Sequence, residues 1–186
     1  MTAQVPDSVR IDSTNFDICG VRGEGLFDPD IHHIETAAPH TGCWRGFICG
    51  YVIANGTLVL DTLELWSEPD RWRHNRQALE RLFGGGLTLD DEHPWIDERG
   101  LAHLVPFTGG LLLGADFVEE LYVHMGFHPA YKYRKVLELT FETGHLLSTS
   151  DRSIEMEEIR LREGRGDDKR SKDVVAWISD CFRIDY

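Results

Sequence analysis

Residues 44–66 read WRGFICGYVIANGTLVLDTLELW and contain the clearest secondary-structure pattern in the chain. Two apolar arms rich in β-branched residues, 47–53 and 57–66, flank the dipeptide Asn55-Gly56. Asn-Gly is favoured in two-residue hairpin turns because both turn positions adopt positive φ. The second arm is apolar on both faces near its start, which is typical of a central strand. We therefore predict a β-hairpin here.

A second hairpin is predicted in residues 133–150, YRKVLELTFETGHLLSTS. Apolar and polar residues alternate along its first arm, and Thr143-Gly144 marks the turn. Both hairpins begin with an aromatic residue followed by arginine, in Trp44-Arg45 and Tyr133-Arg134. This likeness suggests an internal duplication, although two unrelated antiparallel hairpins would share the same pattern.

Helices are predicted between and after the hairpins. Residues 67–86 have apolar residues at helical spacing, with Ser67 as the cap and glycines at the end. A helix is also expected from Asp116, where Glu119 completes a capping-box-like pair, to Gly126. Segments 151–164 and 173–186 are amphipathic as well. The pattern predicts an α+β fold whose largely antiparallel sheet contains at least two hairpins, with three or four short helices.

The chain length of 186 residues indicates a single domain over residues 1–186. Residues 1–13 are expected to form a loose polar leader. The charged residues 164–172 are expected to link the body to a C-terminal helix.

The net charge of −13, from 32 acidic and 19 basic residues, disfavours binding to nucleic acid, whose phosphates would be repelled. It favours solubility and encounter with a basic protein partner. We find neither a signal-peptide pattern nor an apolar run long enough for a membrane span. The four cysteines lack C-x-x-C spacing, so reduced thiols and a cytoplasmic location are predicted.

One group of residues suggests an interaction surface. Three tryptophans flank the first predicted helix and its acidic exit, and exposed aromatic residues ringed by charge serve as anchors in protein interfaces. The alternative is that the tryptophans pack in the core. The candidate interaction residues are Trp66, Trp72, Trp95, Asp90, Asp91 and Glu92.

A second group suggests a metal site. Histidines can bind zinc when several converge from different segments, and the candidate ligands are His32, His33, His124 and His128. Met125 follows His124 where the helical metalloprotease motif requires glutamate, so that motif is absent. The alternative is that His124 packs at a helix end and His128 lies in a turn before Pro129.

Three segments, WRGF in the first hairpin, TGGLLLG at 108–114 and YVHMGF at 122–127, together resemble uncharacterised bacterial proteins. The resemblance covers the middle two thirds of the chain. It implies a bacterial origin and a cytoplasmic location, and it transfers no function or catalytic residue.

The sequence thus favours a non-enzymatic protein-interaction module without a cofactor, such as an immunity-type partner of a basic protein. One alternative is a small metal-dependent or hydrolytic enzyme that uses zinc and the histidines above. Another is a small-ligand-binding domain, which would contain a deep apolar pocket.

Overall fold

The computed structural model describes residues 2–84, 87–89 and 93–163. In this part of the chain, eight strands and two α-helices form, joined by short 3-10 turns at Pro29–His32, Glu119–Leu121 and Ala130–Lys132. The strands and helices are β1 (Ser8–Ile11), β2 (Thr14–Glu24), β3 (Phe47–Ala54), β4 (Thr57–Trp66), α1 (Trp72–Phe83), β5 (Trp95–Leu104), β6 (Thr108–Phe117), β7 (Tyr133–Glu142), β8 (His145–Asp151) and α2 (Ser153–Glu163).

All eight strands belong to one mixed sheet in the order β3-β1-β2-β6-β7-β8-β4-β5. The short strand β1 lies between β2 and β3, antiparallel to the former and parallel to the latter. Every other pairing is antiparallel. Because β4 also pairs with β3, seven of the strands form a closed ring, and β5 extends from β4 outside it.

The ring closes where the turns of the two hairpins meet. Thr57 of β4 lies opposite His145 of β8. The Leu58 N–H donates to the Gly144 carbonyl, and the Leu146 N–H donates to the Gly56 carbonyl, both at 2.8 Å. Closure pairs backbone groups that would otherwise lie at a sheet edge.

Both predicted hairpins are confirmed. The first comprises β3 and β4 with a turn at Asn55 (φ 52°) and Gly56 (φ 75°), the positive φ values that Asn-Gly tolerates. The second comprises β7 and β8 with its turn at Thr143 and Gly144. Their neighbours differ, since β3 pairs with the parallel strand β1 and β7 with the antiparallel strand β6. The internal duplication stays a prediction.

The predicted α+β fold with three or four helices is wrong. The described residues form one large mixed sheet with two α-helices. The expected helix from Asp116 to Gly126 is absent, because the backbone there stays in the sheet until Phe117 pairs with Tyr133. Asp116 has a positive φ of 59° and pairs with Arg134 instead of capping a helix. Sheet pairing has overridden local helix propensity.

Other boundaries also differ from the sequence pattern. The strand β1 lies within the segment predicted to be a loose leader. Helix α1 begins at Trp72, and the Ser67 hydroxyl accepts a hydrogen bond from Asn75 instead of capping the helix. The predicted linker and C-terminal helix, residues 164–186, lie outside the described residues. No helix within the described ranges has the length and apolarity needed to cross a membrane.

The main core fills the inside of the ring and continues beneath α1. Its fully buried members include Phe16, Tyr51, Leu58, Leu60, Leu63, Leu65, Leu79, Ile96, Phe107, Leu111, Leu113, Leu139 and Phe141. A smaller cluster lies on the outer face of β2, β6 and β7, where α2 covers the sheet with Met156 and Ile159. Burial of apolar surface on both faces stabilises the central strands.

Two glycines let β2 and β6 approach closely at one end of their pairing. Gly23 (φ 126°) lies opposite Gly109 (φ 144°). A Cβ atom on Gly109 would lie 2.0 Å from the Arg22 carbonyl oxygen, which is far inside van der Waals contact. Only glycine fits at these two positions without displacing one of the strands.

We predict that Gly109→Ala destabilises the protein because the new methyl group must push β2 away. The expected loss in the free energy of unfolding, measured by urea denaturation, is about 2–4 kcal/mol. The matched control is Gly100→Ala, at a φ of 73° with no atom within 4 Å of the added Cβ. The control should lose only about 1 kcal/mol from its left-handed backbone. Equal losses in both variants would show that the close approach is unimportant.

Candidate functional site

The topology brings an aspartate and an arginine together. Asp7 immediately precedes β1, and Arg45 lies two residues before β3. Because β1 and β3 are parallel, both strands begin at the same end of the sheet, so residues that precede them become neighbours. The two side chains meet although 38 residues separate them in the sequence.

The Asp7–Arg45 pair has bidentate geometry. Nη1 and Nη2 of Arg45 donate to Oδ2 and Oδ1 of Asp7, both at 2.9 Å. Oδ1 of Asp7 also accepts a hydrogen bond of 2.8 Å from the Cys49 N–H. The guanidinium carbon lies 4.7 Å from the ring centroid of Phe47 and 5.6 Å from that of Phe127. Burial lowers the pKa of Arg45, but the hydrogen bonds and charge of Asp7 outweigh it and raise the pKa above its ordinary value.

This pair forms part of the wall of a cleft of about 440 Å³. The cleft lies where β2 ends and where β3 and β6 begin. Apolar side chains form most of its wall, namely Ile18, Val21, Leu26, Phe27, Ile31, Phe47, Phe107 and Phe127. The charged groups on its wall are Asp7, Glu24, Asp28 and Arg45. The volume falls within the roughly 300–1,000 Å³ of small-ligand sites, which are typically apolar with a few polar groups.

Two histidines lie close to Phe27, one of the aromatic residues on the cleft wall. His32 stacks on Phe27 with ring centroids 5.5 Å apart, and Phe27 contacts Phe83 at 6.0 Å. His103 packs edge-on against Phe83. Burial and, to a smaller degree, the charge of His32 lower the pKa of His103. His103 was not a candidate from the sequence, because it lies alone in a segment without a motif.

The other candidate histidines lie in the loop between β6 and β7. His124 and His128 both pack against Tyr122, with ring centroids 4.8 and 5.2 Å from it. The ring of His128 also lies 4.8 Å from that of Phe117. Neither ring nitrogen of His128 has a hydrogen-bond partner among the described residues. Burial and, secondarily, the charge of Lys132 lower the pKa of His128 to about 4, so the imidazole is neutral at pH 7.

The four predicted zinc ligands thus lie as two pairs on different loops. His33 has a left-handed backbone, and its carbonyl oxygen accepts a hydrogen bond from the Nε2 of His74 at 3.1 Å. Within the ranges 2–84, 87–89 and 93–163, no three His, Cys, Asp or Glu side chains are placed to share a metal ion. The zinc enzyme stays a prediction.

The cysteines of the described chain are buried free thiols, Cys19, Cys43 and Cys49. Burial raises the pKa of all three thiols, which favours the protonated, poorly nucleophilic form at neutral pH. Cys19 lies beside Tyr133, whose hydroxyl donates to Oδ2 of Asp17 at 2.8 Å under α2. Burial raises the pKa of Asp17 and Tyr133 as well. This group fixes β2 against β7.

The predicted interaction residues fall in different environments. Trp72 is 4% exposed and packs in the main core. Trp66 of β4 pairs with Trp95 of β5, and Trp95 is 46% exposed. Asp90, Asp91 and Glu92 lie outside the described residues. Trp44, which was not a candidate, is 51% exposed.

Sequence reasoning missed the central pair of the cleft. Asp7 fell in the expected leader, and Arg45 drew attention only as part of the aromatic-arginine start of each hairpin. The parallel pairing of β1 with β3 creates the contact, and that pairing has no local sequence signal. For Arg45, the available signal was its position two residues before β3, next to Phe47 at the start of that strand.

We predict that Asp7→Asn destabilises the protein because Arg45 keeps its charge but loses its carboxylate partner. The expected loss in the free energy of unfolding is about 1–3 kcal/mol, measured by chemical denaturation. The control Asp61→Asn removes the partner of Arg10 in a solvent-exposed pair, where the loss should stay below about 1 kcal/mol. Similar losses in both variants would contradict a structural role for the Asp7–Arg45 pair.

We also predict that His128 makes the fold sensitive to acid. Its pKa is about 4 in the folded protein and about 6.5 as an unperturbed group, so only the unfolded chain gains a proton between these values. Stability should therefore fall as the pH drops from about 6.5 to 4. The variant His128→Phe should lose less stability over this range, measured by urea denaturation at each pH. The same pH dependence in both proteins would exclude His128 as a cause.

No protein-family model, curated protein or solved structure gives a significant match to this chain. The resemblance to uncharacterised bacterial proteins stays a prediction. The cleft and its charged groups are therefore the basis for inferring function.

Proposed function

We propose that this protein is a small-ligand-binding domain and that the ligand occupies the cleft beside Asp7 and Arg45. The single observation behind the proposal is the cleft itself, about 440 Å³ with a mainly apolar wall. Sites of this kind bury most of a small ligand against hydrophobic and aromatic groups, while a few polar groups fix its orientation.

The wall is suited to hold a ligand without rearranging. Phe107 is fully buried and Phe27 is 8% exposed, so packing holds their rings in place. The bidentate bond to Asp7 and the contact with Phe47 fix the guanidinium of Arg45. A preorganised site binds more tightly because little conformational freedom is lost when the ligand enters.

Binding is a better account of this cleft than catalysis. Its ionisable groups are three carboxylates and one guanidinium. Asp7 is already held by Arg45 and the Cys49 N–H, and Arg45 stays charged. Among the described residues, the wall of the cleft contains no serine, cysteine or histidine that could form a nucleophile–base pair.

The second candidate function, after ligand binding, is interaction with a protein partner. A basic protein partner is supported by the net charge of −13 and by the exposed rings of Trp44 and Trp95. Burial of Trp72 removes one of the expected anchors. A cytoplasmic location is also proposed, and the free thiols of Cys19, Cys43 and Cys49 support it.

The cleft can be tested with the neutral fluorophore N-phenylnaphthylamine, which brightens in an apolar site. We expect saturable binding of one molecule per chain. The variant Val21→Phe adds a ring inside the cleft and should weaken binding about tenfold or more, since about 1.4 kcal/mol of lost contact gives that factor. Fluorescence titration measures both affinities.

The matched control is Val52→Phe, which makes the same change at a half-buried strand position away from the cleft wall. It should bind the fluorophore like the unmodified protein. Absence of saturable binding, or equal weakening in the two variants, would overturn the ligand-binding proposal. Circular dichroism of both variants establishes that the comparison is made between folded proteins.

A further inference from the structure

The charges on the cleft wall do not balance. Asp7, Glu24 and Asp28 contribute three negative charges, and Arg45 contributes one positive charge. The difference, three minus one, leaves a formal charge of −2 among the lining side chains. An anionic ligand would enter against this charge and would compete with Asp7 for Arg45.

The guanidinium of Arg45 is already neutralised by its partner. Asp7 occupies both terminal nitrogens at 2.9 Å, and this pair lies against Phe47 and Phe127. The unbalanced charge therefore belongs to Glu24 and Asp28, which are exposed residues of the cleft wall. Asp28 is held in place because its Oδ1 accepts a hydrogen bond of 3.0 Å from the Asp30 N–H.

Aromatic rings make the same cleft favourable for a positive charge. Four phenylalanines line it; Phe47 and Phe127 are partly exposed, whereas Phe27 and Phe107 are buried. The face of an aromatic ring attracts cations, and the attraction grows where water is excluded. Arg45 shows that a ring here accepts a cation, since its guanidinium carbon lies 4.7 Å from the Phe47 centroid.

We propose that the ligand of this cleft is an organic cation with an apolar body, such as an amine on an aryl or alkyl chain. The inference rests on the proposed ligand-binding function and specifies its ligand class. The apolar body lies against Ile18, Val21 and the phenylalanine rings. The cationic head lies toward Glu24 and Asp28, and the net charge of −13 on the whole chain attracts it from solution.

Three small probes with nearly the same body and different heads test this inference. Phenethylamine is cationic at pH 7, phenethyl alcohol is neutral and phenylacetate is anionic. Each is titrated against the complex with N-phenylnaphthylamine, and its affinity is obtained from displacement of the fluorophore. We expect the amine to bind roughly five- to thirty-fold more tightly than the alcohol, with phenylacetate the weakest. Added salt should weaken binding of the amine and leave the alcohol unaffected.

A double variant, Glu24→Gln with Asp28→Asn, should bring the amine and the alcohol within about twofold of each other, because the carboxylates that favour the charged head are gone. The matched control is Glu119→Gln with Glu120→Gln, two acidic residues on the turn after β6 that are not part of the cleft wall. The control should keep the preference for the amine.

The possible failures are distinguishable. If the fluorophore binds but the amine and alcohol displace it equally, the cation inference is overturned and the ligand-binding function stands. If phenylacetate binds most tightly, Arg45 is the recognition group and the inference is again overturned. If the fluorophore does not bind at all, both proposals fail.

Discussion

Two backbone hydrogen bonds between the hairpin turns hold this sheet closed, and the architecture depends on them. Leu58 donates to Gly144 and Leu146 donates to Gly56 at the point where Thr57 of β4 pairs with His145 of β8. Without this contact, β8 would become an edge of an open sheet, whereas β4 would remain paired with β3 and β5. Closure turns seven strands into a ring that surrounds the main core.

The cleft follows from a second constraint, the insertion of β1 between β2 and β3. A strand parallel to β3 must begin at the same end of the sheet, and this places Asp7 beside Arg45. The pair neutralises its own charges and leaves the carboxylates of Glu24 and Asp28 to set the polarity of the cleft. The same insertion separates β3 from β2, and residues of these two strands surround one space together with Phe107, which precedes β6.

The sequence predicts those parts of the fold that depend on residues close together in the chain. The two hairpins were predictable because alternation and glycine turns are local. The structure of residues 108–126 was not predictable. The segment TGGLLLGADF contains glycines, which are uncommon inside strands, and Asp116 looks like a helix cap. Close contacts with β2 and β7 require those glycines, and sheet pairing outweighs the cap. The candidate histidines were visible as residues, but their separation into two loops depends on tertiary contacts.

The contact that closes the ring also affects folding during synthesis, because its two sides are far apart in the sequence. Thr57 and His145 are 88 residues apart, so the first hairpin is complete long before its partner exists. At a synthesis rate of about 5–20 residues per second, roughly 4–18 s pass between the synthesis of Thr57 and that of His145, its partner in the closing contact. During this interval the leucine-rich inner face of the hairpin is not yet enclosed by the complete ring, and transiently exposed apolar surface of this kind raises the risk of aggregation.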